Sequence, residues 1–224
     1  MDRASHTNFV LSRLLPADFA LIEPHLEPTD LPLRKVLGRK SKPIKDVYFP
    51  EDGFASVVAN GKRPIEVGII GREGMTGITV LLGGDRDDHE TYMQAAGHGH
   101  CIRAKHLREA IDNSTSLHRS LLRCVQTFLK QTAQTVVANG RSKIDERLAR
   151  WLLMADDRIA KVELSLTHEF LAMMLASRRA GVTEAIQRLE KEGLIARRRG
   201  CIVVLDRDEL ERMSEGTYTS LGRA

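Results

Sequence analysis

In residues 164–189 the apolar positions fall at helical spacing in two short runs. In the first, Phe170, Leu171, Met174 and Leu175 recur at intervals of three and four behind Thr167, a residue suited to cap a helix. In the second, Val182, Ala185, Ile186 and Leu189 make one inward stripe, with Ser177 as the expected cap and Gly193 as the expected end. The positions left outside are polar and basic: Arg178, Arg179, Thr183, Gln187 and Arg188. Beyond them, residues 194–196 and 201–205 are apolar and rich in β-branched side chains, and they flank Arg197, Arg198, Arg199 and Gly200. That pattern predicts a hairpin with a basic tip. Upstream, residues 142–157 read as another amphipathic helix with Ile144, Leu148, Leu152 and Leu153 inward.

Residues 114–139 predict one long helix with two adjacent apolar seams. One runs through Leu117, Leu121, Cys124, Phe128 and Thr135, the other through Leu122, Val125, Leu129, Thr132 and Val136. About 25 residues of helix span roughly 38 Å, more than a domain of this size needs internally. One seam is therefore expected to face a second copy of the chain and the other its own N-terminal domain. The dimer contact is assigned to Leu117, Leu121, Cys124, Phe128, Thr132 and Thr135, and Asn139-Gly140 is expected to break the helix.

All seven prolines lie in the first 64 residues, so long helices are expected only afterwards. Short apolar runs at residues 47–49, 54–58, 65–70, 78–82 and 101–102, separated by Pro50-Glu51-Asp52-Gly53, Asn60-Gly61 and Gly83-Gly84-Asp85, suggest strands of a small antiparallel roll. The fold class is then α+β: an N-terminal antiparallel β-roll with flanking helices over residues 1–112, a dimerisation helix over 113–140, and a winged helix-turn-helix over 141–224.

Charge sharpens the C-terminal reading. Residues 176–205 hold seven basic side chains against three acidic ones, an excess equal to the +4 of the whole 224-residue chain. Exposed arginines on a helix after a tight turn, with a basic hairpin beside it, are what double-stranded DNA requires of a major-groove reader. Thr167, Ser177, Arg178, Arg179, Thr183, Gln187, Arg188, Arg197, Arg198 and Arg199 are the candidate DNA contacts. The polar N-terminus and the lack of any long apolar run point to a cytoplasmic protein without a membrane partner.

The order of β-roll, long helix and winged helix-turn-helix resembles the Crp/Fnr family of bacterial transcription regulators. Residues 147–153 (Arg-Leu-Ala-Arg-Trp-Leu-Leu) and 176–189 carry the likeness most specifically, with support from residues 47–53 and 71–77. The resemblance implies a cyclic-nucleotide-binding-like sensor domain, a homodimer on a palindromic operator, and RNA polymerase as a further partner. In this family the recognition helix usually begins Ser-Arg-Glu-Thr-Val, where this chain has Arg178-Arg179-Ala180-Gly181-Val182. Arg179 keeps the guanine-reading position, while Ala180 and Gly181 replace Glu and Thr, so the usual operator is not expected.

The sensor half departs further. By resemblance a cyclic-nucleotide pocket needs a Gly-Glu for the ribose and an Arg-Ser or Arg-Thr for the cyclic phosphate. Gly71, Glu73, Arg86 and Thr132 are the candidate effector residues, but Asp85, Asp87 and Asp88 surround Arg86 and would repel a phosphate. Cyclic AMP is therefore not the expected ligand. The N-terminal cysteine cluster of iron–sulfur members is absent, and Cys101, Cys124 and Cys201 are far apart. His98-Gly99-His100-Cys101 invites a metal or haem reading, with His98 and His100 on one strand face, but a polar loop entering the last strand is the simpler expectation. No metal, cofactor or catalytic residue is expected. An enzyme of the metal-dependent β-roll type would need histidines and carboxylates on facing strands, and residues 47–58 and 65–82 contain no histidine. A ligand-sensing interaction module without DNA binding is the remaining alternative.

Overall fold

The computed structural model describes residues 3–62, 64–159, 164–165, 167–198 and 201–221. They form two compact units: residues 1–60 with 68–130, and residues 61–67 with 131–224.

The first unit opens with helices α1 (Phe9–Ser12) and α2 (Pro16–Ile22), followed by strands β1 (Glu27–Leu31) and β2 (Val36–Gly38). Two long strands, β3 (Asp46–Ala59) and β5 (His89–Arg103), pair antiparallel along almost their whole length. With β4 (Ile65–Ile70) the sheet order is β1-β5-β3-β4, and β2 also lies on β5. Two expectations change here. Residues 50–53 do not turn the chain, because the predicted strands at 47–49 and 54–58 are one strand whose register shifts at Pro50/Asp52 and Asp52/Phe54. A proline is tolerated at such a break, where no ladder hydrogen bond is demanded of it. Residues 78–82 form a short 3-10 helix, not a strand, held between Gly77 and Gly83, both in the left-handed region. The run was apolar because it packs into the core: Val80 and Leu81 join Leu11, Phe19, Ile22, Phe49 and Leu107.

Helix α3 (Ala104–Asn113) leads into α4 (Thr115–Arg141), which continues through Asn139-Gly140 and is not broken there. Leu117, Leu121 and Cys124, assigned from the sequence to the dimer contact, lie instead in the core of the first unit with Val125. Both seams enter that core, Val125 within it and Leu122 packed against it, so periodicity shows that two seams exist but not which positions along them stay exposed. The apolar positions of α4 left in water are Leu129, Val136 and Val137, at 62%, 67% and 46% exposure. Phe128, Thr132 and Thr135 are partly buried, and Thr135 Oγ1 donates to the Gln131 carbonyl at 3.0 Å. Burial pushes the Cys124 thiol up to about 12 and Cys101 up to about 11, so both pack as small apolar groups and not as reactive thiolates. No described helix is long and apolar enough to cross a membrane.

In the second unit α5 (Ile144–Asp156) buries Leu148, Ala149, Leu152 and Leu153 completely. Its Arg150 is buried as well, and Nε donates to the Thr217 carbonyl at 3.0 Å while Nη2 donates to Thr135 Oγ1 at 3.1 Å and the Gln131 carbonyl at 3.3 Å. Burial lowers the Arg150 pKa to about 10, against the pull of Glu66, so the side chain stays charged at neutral pH. One cation thereby ties α5 to the end of α4 and to the C-terminal tail, with its donors satisfied by oxygens.

Candidate nucleic-acid interface

Helices α6 (His168–Met174) and α7 (Arg179–Lys191) are joined by a tight turn at residues 175–178. Thr167 caps α6 as expected, its side chain accepting from Phe170 N at 3.2 Å. Leu171, Met174 and Leu175 are buried, and Phe170 meets Trp151 edge to face at 5.9 Å. The turn closes with paired backbone hydrogen bonds, Ser177 N to Ala172 O at 2.9 Å and Ala176 N to Met173 O at 3.3 Å. This Schellman ending requires a left-handed residue, and Ala176 supplies it at φ 46°. Glycine is favoured there because an L side chain in this region costs roughly 1–2 kcal/mol. Ala176→Gly is therefore expected to stabilise the protein by about 1 kcal/mol, less a small entropy loss, and to raise Tm by roughly 2–4 °C in calorimetry without weakening DNA binding.

The inward stripe of α7 is as the sequence predicts: Val182, Ala185, Ile186 and Leu189 are wholly buried. Ser177 does not cap this helix. Arg178 holds the N-cap position with extended backbone and no side-chain cap bond. The helix ends on a second Schellman pair, with Gly193 at φ 75°. The wing follows as β7 (Ile195–Arg198) and β8 (Cys201–Val204), paired from Ile195↔Val204 to Arg198↔Cys201, and β6 (Leu164–Ser165) adds to β8. Arg199 lies outside the described residues. The unit closes with α8 (Arg207–Met213), whose Leu210 is buried.

The candidate contact residues divide into free and committed groups. Arg178 and Gln187 are exposed on α7, and Arg198 on the wing. Arg179 is exposed too, with Nη1 3.4 Å from Glu169 across the turn. Arg188 is held by Asp145 of α5 through two hydrogen bonds of 2.9 and 2.8 Å, which keep its pKa above the ordinary value. Arg197 donates from Nε to Glu190 at 2.7 Å, tying the wing to α7. Thr183 Oγ1 donates to the Arg179 carbonyl at 3.0 Å, which leaves His168 Nδ1, 2.9 Å away, as donor to that hydroxyl. Thr183, Arg188 and Arg197 thus hold the helices and wing in place, while Arg178, Arg179, Gln187 and Arg198 present unspent donors. The sequence reading missed Asp145, Glu169, Glu190 and His168. Of the acids only Glu190 falls within the counted residues 176–205, where it enters as a reduction of the excess, and the pairings join residues up to 43 positions apart.

Of the candidate effector residues, Gly71, Glu73 and Arg86 belong to the first unit and Thr132 to the second. A cavity of about 460 Å³ in the first unit is lined by Arg39, Lys42, Lys45, Tyr48, Thr76 and Asp87 among others, and by none of Gly71, Glu73, Arg86 or Thr132. Glu73 Oε1 accepts from Gly71 N at 3.3 Å, closing a local turn. Arg86 points into solvent, donating to the Ser41 carbonyl at 3.1 Å and standing 3.7 Å from Asp85.

Residues 146–213 match the family model of the Crp-like helix-turn-helix domain. No curated protein matches the sequence. Among solved structures, a regulator ascribed to the Crp/Fnr family from Eubacterium rectale superposes with a TM-score of 0.71 at 18% identity, covering 93% of this chain and 98% of the other. A CRP-family transcriptional regulator from Thermus thermophilus gives 0.68 at 19% identity over 88% and 100%. The c-di-GMP-responsive global regulator CLP of Xanthomonas campestris gives 0.67 at 16% identity over 84% and 98%. At such identities the likeness is one of fold. Residues 146–213 are a Crp-like helix-turn-helix domain, carried on a chain with the fold of the Crp/Fnr transcription regulators.

Proposed function

We propose that the protein is a sequence-specific, DNA-binding transcription regulator that acts as a homodimer. The observation that carries this reading is the division of α7: a fully buried stripe on one side, and Arg178, Arg179 and Gln187 exposed on the other beside Arg198 of the wing. A helix held this way presents its first turn to base edges while the wing meets the backbone. The strip of Leu129, Val136 and Val137 on α4 is the surface a second copy would cover, since apolar side chains at this spacing otherwise stay in water. A palindromic operator follows from the two-fold axis, and RNA polymerase is the natural partner of a regulator so placed. Selection of binding sites from fragmented genomic DNA, followed by anisotropy titrations across a salt series, tests the reading. A two-fold symmetric consensus bound far more tightly than random duplex is expected, whereas equal affinity for all sequences would reject specificity.

Cyclic AMP is not the signal in this reading. The Arg86 guanidinium is engaged at the surface beside Asp85, so it forms no clamp for a cyclic phosphate. Millimolar cyclic AMP is expected neither to raise Tm nor to change DNA affinity. A clear rise in Tm, the linkage signature of a ligand bound only by the folded state, would reject this assignment.

A further inference from the structure

We propose that His6, Glu51 and His100 form a binding site for one divalent first-row transition-metal ion, Zn2+ or Fe2+, inside the first unit. The three side chains come from three separate places in the chain, and local packing explains why they meet. Gly99 of β5 lies opposite Pro50 of β3, and a Cβ there would stand 2.2 Å from the Phe49 carbonyl, so only glycine lets the two strands approach this closely. That approach brings His100 alongside Glu51. The N-terminal segment is pinned over the same point by Asn8, whose Nδ2 donates to the carbonyls of Pro50 at 2.7 Å and Gly74 at 3.0 Å while its Oδ1 caps α1. Thr7 Oγ1 adds a bond to the Glu51 carbonyl at 3.2 Å. His6 is left directly above the carboxylate.

The donor atoms of the three side chains all lie within 4.8 Å of one another. His6 Nδ1 is 2.8 Å and His100 Nδ1 3.6 Å from the same oxygen, Glu51 Oε1, and the two rings meet edge to face at 4.6 Å. Bonds of about 2.1 Å to a tetrahedral ion would set neighbouring donors roughly 3.4 Å apart, so small side-chain shifts complete the set.

An ion pair between His6 and Glu51 alone does not account for His100. Both of its ring nitrogens, and Nε2 of His6, are buried without a hydrogen-bond partner. A neutral imidazole carries one donor and one lone pair, and burying both unused forfeits what water would have given. Two imidazoles and one carboxylate suit zinc or ferrous iron, whereas calcium and magnesium prefer all-oxygen sets. The three side chains are only 2%, 10% and 8% exposed, which leaves no approach for a substrate. The ion would staple the N-terminal segment to β3 and β5 and would not turn over. His98, by contrast, is exposed and stays outside the set. The strand segments 47–58 and 65–82 hold no histidine, but the strand facing β3 is β5, and residues 98–100 lie within it and not in the polar loop expected from the sequence.

Tag-free protein, stripped with a chelator and dialysed, is to be titrated with Zn2+ by calorimetry and with Co2+ by absorbance. One ion per chain is expected, with cobalt d–d bands and no sulfur charge-transfer band. His6→Gln, Glu51→Gln and His100→Gln are each expected to weaken Zn2+ binding at least about tenfold, with His98→Gln as the unaffected control. Wild-type protein that binds no metal tightly, a cobalt spectrum showing thiolate ligation, or three variants binding as the wild type does would overturn the site. Should His100→Gln fail to fold, His6→Gln and the wild-type cobalt spectrum still decide. Duplex-DNA affinity of the stripped protein, measured alongside, keeps this outcome separate from the regulator reading.

Discussion

Arg179→Ala is expected to lose about 1–3 kcal/mol of binding per half-site and to relax preference at one symmetric base-pair position, with binding to random DNA nearly unchanged. The side chain sits in the first turn of α7, where a guanidinium can donate two parallel bonds to guanine O6 and N7. Its ion pair to Glu169 at 3.4 Å joins two largely exposed groups and costs on the order of 0–1 kcal/mol to break, so the arginine is available. Arg198→Ala is expected to behave differently. It stands exposed on the wing beside Arg197, which Glu190 already holds, so it is the described wing arginine free to meet a phosphate. Its loss should weaken specific and non-specific binding alike and lower the salt slope by about one for each phosphate contacted. Titrations of operator and random duplex over a salt series separate the two roles. Equal losses for Arg179→Ala on both DNAs would show that it contacts backbone and not bases.

Leu129→Glu combined with Val136→Glu is expected to convert a dimer of about twice the 25.1 kDa chain mass into a monomer in sedimentation at micromolar concentration. DNA affinity should fall by at least about 100-fold, because linked half-sites gain their avidity from simultaneous engagement. The same experiment distinguishes the exposed strip from the seam chosen on periodicity. Leu121→Ala should cost about 2–5 kcal/mol of stability, as a wholly buried leucine does, yet leave the dimer mass unchanged. If Leu121→Ala dissociates the dimer while the Leu129/Val136 variant stays dimeric, the contact runs through the core seam and the assignment made from exposure is wrong.

The sequence by itself determined the elements whose signals are local. The stripe of Val182, Ala185, Ile186 and Leu189, the cap at Thr167, and the apolar strands flanking a basic tip each depend on residues within a few positions of one another, so local pattern sufficed for these elements, although Ser177 does not cap α7 as its chemistry predicts. Partner choice was not legible. Two adjacent seams on α4 were both apolar, and only the tertiary packing decided that Leu117, Leu121, Cys124 and Val125 face inward while Leu129 and Val136 face water. The run at residues 78–82 looked like a strand because burial, not strand pairing, made it apolar. Which arginines remain free to meet DNA was decided by carboxylates brought in from elsewhere, Asp145 for Arg188 and Glu190 for Arg197. The meeting of His6, Glu51 and His100 joins residues up to 94 positions apart across two strands drawn together by a missing Cβ. Short-range patterning fixes which face of an element is apolar; what that face or charge meets is settled only when distant parts of the chain compete for the same partners.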